Sequence, residues 1–426
     1  MCDGFDVAAA LPPLGIIKSG LEHTTETLAA ELARPSGETP GWTELEWQLA
    51  TAVATAHGVA PLLSVYPRWQ NPAWSRFIDS QYEHVAQRHQ RITSLLERID
   101  ADARAAGIAL VALKGSALHA LGIYSPGERP MADIDLLVSD ADAERTGRLL
   151  EHLGYVQSFA SWKHRVFKPV SGKPVFGLGE HRDTPVNIEL HTRIQERLPI
   201  ATVDITDRIY PSHPVPGINA YPSLGALMCH LLLHAAGNVC SRTLRLIHLN
   251  DISLLASRMV RSDWHVLWNH DTGESPWWAL PPLRLVWRYY DKAVPPALLY
   301  ELELDCHALL RSVSRHQTLT QVSCSELWIH TWQGVEWTRS ARELGHYVLQ
   351  RLRPSKEARE EREDMIRTQL WLQGSPWVKS RQWLRIFAML TRSVPRMDTL
   401  YVVRAALAQA PTPRTQRPEP AVSTCR

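Results

Sequence analysis

The sequence predicts an α+β protein in which a small mixed β-sheet core lies between an N-terminal and a C-terminal helical region. Three observations predict it. Residues 15 to about 100 carry apolar side chains at three- and four-residue spacing, without strand-like alternation. From residue 108, short apolar runs alternate with short amphipathic stretches. Beyond a joint rich in proline and glycine at 211–223, the pattern turns helical again to about residue 410.

In the first region ELEWQLATAVATAHGVAPLL and FIDSQYEHVAQRHQRITSLLERIDADARAAG read as helices, with Pro61, Pro67 and Pro72 punctuating the chain between them. IALVALKG, from residue 108, is an apolar run closed by glycine, as expected of a buried strand. SALHALGIY reads as a short helix, YSPGERPM as a loop and MADIDLLVS as a second strand. DADAERTGRLLEHLGY is an amphipathic helix that opens with acids and ends at Gly154. WKHRVFKPV, a turn at Ser171-Gly172, and PVNIELHTRI supply two or three further strands. The expected organisation is a helical region over 1–90, an α/β core over 91–215, a helical domain over 216–410 and a disordered tail over 411–426.

A net charge of +2 on 426 residues excludes neither acidic nor basic partners. The six cysteines, at 2, 229, 240, 306, 324 and 425, never stand at C-x-x-C spacing, which argues against a disulfide framework or a zinc ribbon. Asp3 and Asp6 lie where a signal peptide needs positive charge, and the apolar stretches fall short of a membrane span. The expectation is a soluble, cytoplasmic protein.

The chemistry concentrates in MADIDLLV. Strand alternation places Asp133 and Asp135 on one face, with Ile134 and Leu136 on the other. Two adjacent carboxylates repel each other near a core, and Mg²⁺ (or Mn²⁺) relieves that cost. An isolated D-x-D is more often the wet face of an edge strand. Here a Lys-Gly-Ser turn precedes it and an apolar run follows, which favours the metal. In PVNIELHTRI, Asn187, Glu189 and His191 share a face, so Glu189 is a candidate third acid, as metal ligand or as base. Gly115 and Ser116 follow a strand and open a helix, a place suited to phosphate. Lys114 is a partner for that phosphate or for the aspartates, and Arg129 is a clamp for leaving pyrophosphate or one half of a salt bridge.

Together these residues resemble the nucleotidyltransferase superfamily, whose pattern is Gly-Ser, an acid–hydrophobic–acid strand and a later third acid. The run LKGSAL…RPMADIDLLV…LGY…IELH is similar to a branch of uncharacterised bacterial nucleotidyltransferases, the family 5 type. The likeness extends through HLLLHAAG and RLIHLNDISLL to SPWVKSRQWLR. It implies a small mixed sheet flanked by helices, Mg²⁺-dependent transfer of an NMP group, and a helical domain across the cleft. The spacer of sixteen residues between Ser116 and Asp133 is longer than the superfamily pattern.

His230 and His234 share a helical face in CHLLLHAAG, and Asp251 follows. Core histidines are the commoner reading of such a pair; with the resemblance, these three and His191 stand on the acceptor side. Lys379, Arg381, Arg385, Arg392 and Arg396 form a basic, aromatic-interleaved stretch without a recognisable nucleic-acid-binding module. The implied donor is an NTP, ATP foremost, and the acceptor a small molecule, a peptide or protein side chain, or an RNA end. The alternatives are an accessory protein that binds nucleotide or partner without catalysis, and transfer of the γ-phosphoryl group.

Overall fold

The structure, a computed structural model, describes residues 11–171, 175, 177–268, 275–291, 293–323, 334–353, 356 and 397–408. Gly172, the basic stretch with Lys379 to Arg396, the tail after residue 410, and Cys2, Cys324 and Cys425 lie outside the described residues.

The chain opens with three helices, α1 (Leu14–Ala33), α2 (Glu44–Ala56) and α3 (Pro72–Ala106). The Asn71 side chain caps α3 by accepting from the Ala73 and Trp74 N–H groups, both at 3.0 Å, and Pro72 occupies the first turn. Gly107, at φ 67°, ends it in the left-handed conformation. No breaker interrupts this helix of 35 residues, so it runs through the boundary expected at residue 90.

The core follows as β1 (Ala109–Ala112), α4 (Gly115–Ala120), β2 (Asp133–Val138), α5 (Ala143–His152), β3 (Tyr155–Ala160), β4 (His164–Pro169) and β5 (Asn187–His191). Next come β6 (Gln195–Arg197), β7 (Thr202–Asp204), α6 (Thr206–Ile209) and β8 (Gly217–Asn219). Six strands make a mixed sheet in the order β3-β4-β5-β2-β1-β8, and β6 with β7 forms a separate hairpin. The joint at 211–223, whose composition reads as a linker or long loop, carries β8, an edge strand parallel to β1. Its extended backbone finds hydrogen-bond partners at the sheet edge, which a proline-rich composition does not disclose.

The sheet has two covered faces. Ile134, Leu136, Val138, Ile188 and Leu190 pack with Ile92, Ile99 and Leu150 of α3 and α5. Val111, Leu113 and Leu137 point the other way, into a larger core built by α1, α2, α7 (Leu224–Ser241), α8 (Leu246–Ala256) and the helices beyond them. The N-terminal and C-terminal helices therefore share one core. Among the described residues, α7 alone has the length and apolar character to cross a membrane; 67% of its apolar window is buried. The sequence reading placed no stretch at that length.

Candidate active site

β2 and β5 run parallel, with Asp133 opposite Asn187, Asp135 opposite Glu189 and Leu137 opposite His191. This register puts Asp133, Asp135 and Glu189 on the face that looks toward the helical layer. β4 pairs antiparallel with β5 and sets His164 opposite His191. Three neighbouring strands thus bring three acids and two histidines to one patch of sheet.

Asp135 is buried and already neutralised: its Oδ1 lies 3.2 Å from Lys114 Nζ and 3.1 Å from His191 Nε2. Burial alone would raise its pKa, but Lys114 and the His191 hydrogen bond outweigh it and hold the carboxyl well below the usual range. Lys114 therefore takes the aspartate, one of its two expected partners. Asp133 is not so compensated. Burial, then the Asp135 and Glu189 charges, push it up to about 7. Burial opposes the charge of Glu189 too, but a His191 hydrogen bond helps to keep it below its ordinary value. A half-buried acid with a raised pKa beside two ionised ones fits a site for a cation of oxygen preference. Asp133, Asp135 and Glu189 are the residues that would hold it.

Lys114 stands at the turn from β1 into α4 with φ 46° and ψ −111°, a backbone state that costs a non-glycine residue about 1–3 kcal/mol. Its N–H donates to the Tyr221 hydroxyl at 3.2 Å, and that hydroxyl meets His230 Nδ1 at 2.8 Å. Because Lys114 makes the bend, α4 starts at Gly115, and Ser116 lies inside the helix instead of capping it. Ser116 is buried, and its hydroxyl faces Met131 Sδ at 4.0 Å.

Arg129 is bound to Asp251 through two hydrogen bonds, Nε to Oδ1 at 2.8 Å and Nη2 to Oδ2 at 2.7 Å. Its Nη1 lies directly over Gly115, where a Cβ would stand only 2.3 Å away. The structure thus joins one expected phosphate ligand to one expected acceptor-side residue and seats both beside the glycine turn. Of the two alternatives for Arg129, the geometry supplies the salt bridge.

Next to the acids opens a pocket of about 120 Å³, with Lys114, Glu189, His191, His230 and His234 on its wall. Gly115, Ser116, Arg129, Asp133, Asp135 and Asp251 are not part of that wall. His234 Nδ1 lies 3.8 Å from Glu196 Oε1, and the other oxygen of Glu196 is held by Lys163. Burial leads the causes that keep His230 and His234 below their ordinary pKa. His164 behaves alike, lowered by burial to about 4.

Several residues of this region were not anticipated. Arg88 of α3 is fully buried and donates to the Met131, Ala132, Thr184 and Pro185 carbonyls, which lead into β2 and β5. It anchors the two strands that carry the acids. An arginine at an inward position of a mostly apolar helical face, which Gln81 also interrupts, is the signal that could have found it. His164, Lys163 and Glu196 escaped because the β4 and β6 segments carry no motif; strand register alone assembles them.

The chain thus presents a mixed sheet with three carboxylates on one face, covered by a helical layer with His230 and His234 across the pocket. The family model described as uncharacterised nucleotidyltransferase matches residues 43–271, more than half of the chain, and the chain belongs to that family. The family indicates nucleotidyl transfer in general, and with it a nucleotide substrate. Comparison with curated proteins gives no match. Comparison with solved structures gives none either.

Proposed function

We propose that this protein transfers an NMP group from an NTP, with ATP the expected donor, to an acceptor that enters the pocket beneath His230 and His234. The observation that carries the reading is the register of β2 and β5, which sets Asp133, Asp135 and Glu189 on one face. Bound there, Mg²⁺ or Mn²⁺ supplies charge neutralisation for the triphosphate and the leaving pyrophosphate. The acceptor oxygen forms a bond to the α-phosphorus while the bond to the pyrophosphate oxygen breaks. His234, neutral and oriented by Glu196, receives the acceptor's proton. Lys114 moves from Asp135 toward phosphate as the nucleotide arrives, and the Gly115–Ser116 segment with Arg129 is the proposed phosphate side. The buried thiols Cys229 and Cys306 fit a cytoplasmic setting.

One observation favours a second reading, a nucleotide-binding regulator without turnover: the Lys114–Asp135 pair at 3.2 Å occupies one of the three acids. The two are separated by incubating the protein with Mg²⁺ and each labelled NTP and following pyrophosphate release and self-labelling. Transfer predicts release that disappears in Asp133→Ala and Asp135→Ala. Release that survives both substitutions removes the acids from the chemistry, and nucleotide binding without release supports the regulator. Mass spectrometry of the product excludes γ-phosphoryl transfer when the added mass is a nucleotidyl group.

A further inference from the structure

We infer that His164, Glu189 and His191 form a binding site for a first-row transition metal ion, beside the all-oxygen position of Asp133 and Asp135 and meeting it at Glu189. The inference goes beyond magnesium-dependent transfer and stands on its own geometry.

His164 Nδ1 lies 3.5 Å from Glu189 Oε2, and His191 Nε2 lies 3.7 Å from the same oxygen. The three donor atoms are all within 4.8 Å of one another. A tetrahedral ion with bonds of about 2.1 Å separates its ligands by about 3.4 Å, close to the 3.5 and 3.7 Å found between each histidine and Glu189. The ligands rest on rigid elements. Glu189 and His191 are alternate residues of β5, and His164 is the cross-strand neighbour of His191. His164 Nδ1 is buried and makes no hydrogen bond. A buried polar atom without a hydrogen bond beside a carboxylate calls for an explanation, and a bound cation provides one. His191 Nε2 is otherwise engaged by Asp135 Oδ1 at 3.1 Å, so metal binding exchanges one partner for another.

The donor set decides the class of metal. Mg²⁺ demands oxygen ligands in an octahedron, whereas two imidazoles and one carboxylate suit Zn²⁺, Fe²⁺, Co²⁺ or Mn²⁺. Three protein ligands leave a position open, and the pocket of about 120 Å³ lined by the same three residues lies over it. That arrangement belongs to reactive sites rather than structural ones. Glu196, on the same wall, is held by Lys163 and stays outside the ligand set.

The test uses the full, untagged chain, stripped of metal by a chelator and titrated without nucleotide. Co²⁺ reports its coordination through visible d–d bands, and Zn²⁺ competition gives the affinity. The expected result is one Co²⁺ per chain that an excess of Mg²⁺ does not displace. His164→Asn and His191→Asn, each shown to be folded by circular dichroism, are expected to weaken Co²⁺ binding at least tenfold. His23→Ala, at an exposed histidine remote in sequence from the sheet, leaves it unchanged. Asp133→Asn keeps one Co²⁺ per chain. Displacement by Mg²⁺, equal affinity in the folded histidine variants, or no d–d spectrum overturns the inference. Because binding is read without nucleotide, a protein that binds Co²⁺ yet releases no pyrophosphate counts against transfer alone. An active magnesium enzyme lacking the cobalt spectrum counts against this site alone.

Discussion

Arg129 and Asp251 grip each other through two hydrogen bonds, of 2.8 and 2.7 Å, across 122 residues of chain. Arg129 belongs to the loop that leads into β2, and Asp251 to α8, so the pair fastens the acid-bearing strand to the helical layer. Tyr124 donates to the same Asp251 oxygen at 2.8 Å and accepts from Asn250 at 2.8 Å. Deleting one member of a buried pair leaves an uncompensated charge. Arg129→Met and Asp251→Leu are each expected to cost about 3–5 kcal/mol in urea denaturation. The double variant is expected to be more stable than the sum of the two losses implies. Strict additivity would show that the two side chains do not depend on each other.

The same arginine explains the glycine beneath it. A Cβ at position 115 would lie 2.3 Å from Arg129 Nη1 and 3.0 Å from Met131 Cγ. Gly115→Ala is expected to cost about 1–3 kcal/mol, as overpacking does. In the Arg129→Met background much of that cost should vanish. An equal penalty in both backgrounds would mean that Arg129 is not what requires a glycine there.

Asp133 makes stability depend on pH in an unusual direction. Its ordinary pKa of 3.8 is pushed up to about 7 in the folded protein. Between those values the folded protein holds the extra proton, so stability falls as the pH rises. Asp135 and Glu189 are shifted the opposite way, and their contribution is lost only as the pH falls through the acid range. In chelator, the melting temperature of the wild type should therefore drop from about pH 4 to about pH 7 more steeply than that of Asp133→Asn. Added Mg²⁺ should flatten the curve. Parallel curves for the two proteins would exclude the raised pKa.

Arg88 holds four carbonyls at the entrances to β2 and β5. Replacing it with Met leaves them without their donor, at about 1–3 kcal/mol for each acceptor that water cannot reach. Arg88→Met should lower stability by at least about 3 kcal/mol and weaken Mg²⁺ binding measured by calorimetry. Lysine keeps the charge without the planar fork and should recover only part of either loss. A fully stable Arg88→Met variant with wild-type Mg²⁺ affinity would show that the anchor is dispensable.

The parts of this protein legible in its sequence are those that local chemistry dictates. Alternation in MADIDLLV puts Asp133 and Asp135 on one face of β2, and the period of three and four marks the helices on either side. The Lys-Gly-Ser turn is visible for the same reason, since a strand must end before a helix begins. Segment boundaries were less legible. β8 emerges from a proline-rich joint, because edge pairing answers to distant partners.

The sequence by itself determined the fold class, the acid pair and the likeness to its family. Only the tertiary structure decided who neutralises whom. Asp135 takes Lys114 and His191, Arg129 takes Asp251, and His164 arrives beside Glu189 through a strand without a motif. The physical reason is range. Side-chain alternation and turn chemistry act over a few residues, whereas ion pairs and ligand clusters need atoms within a few ångströms, and strand register and helix docking set those distances.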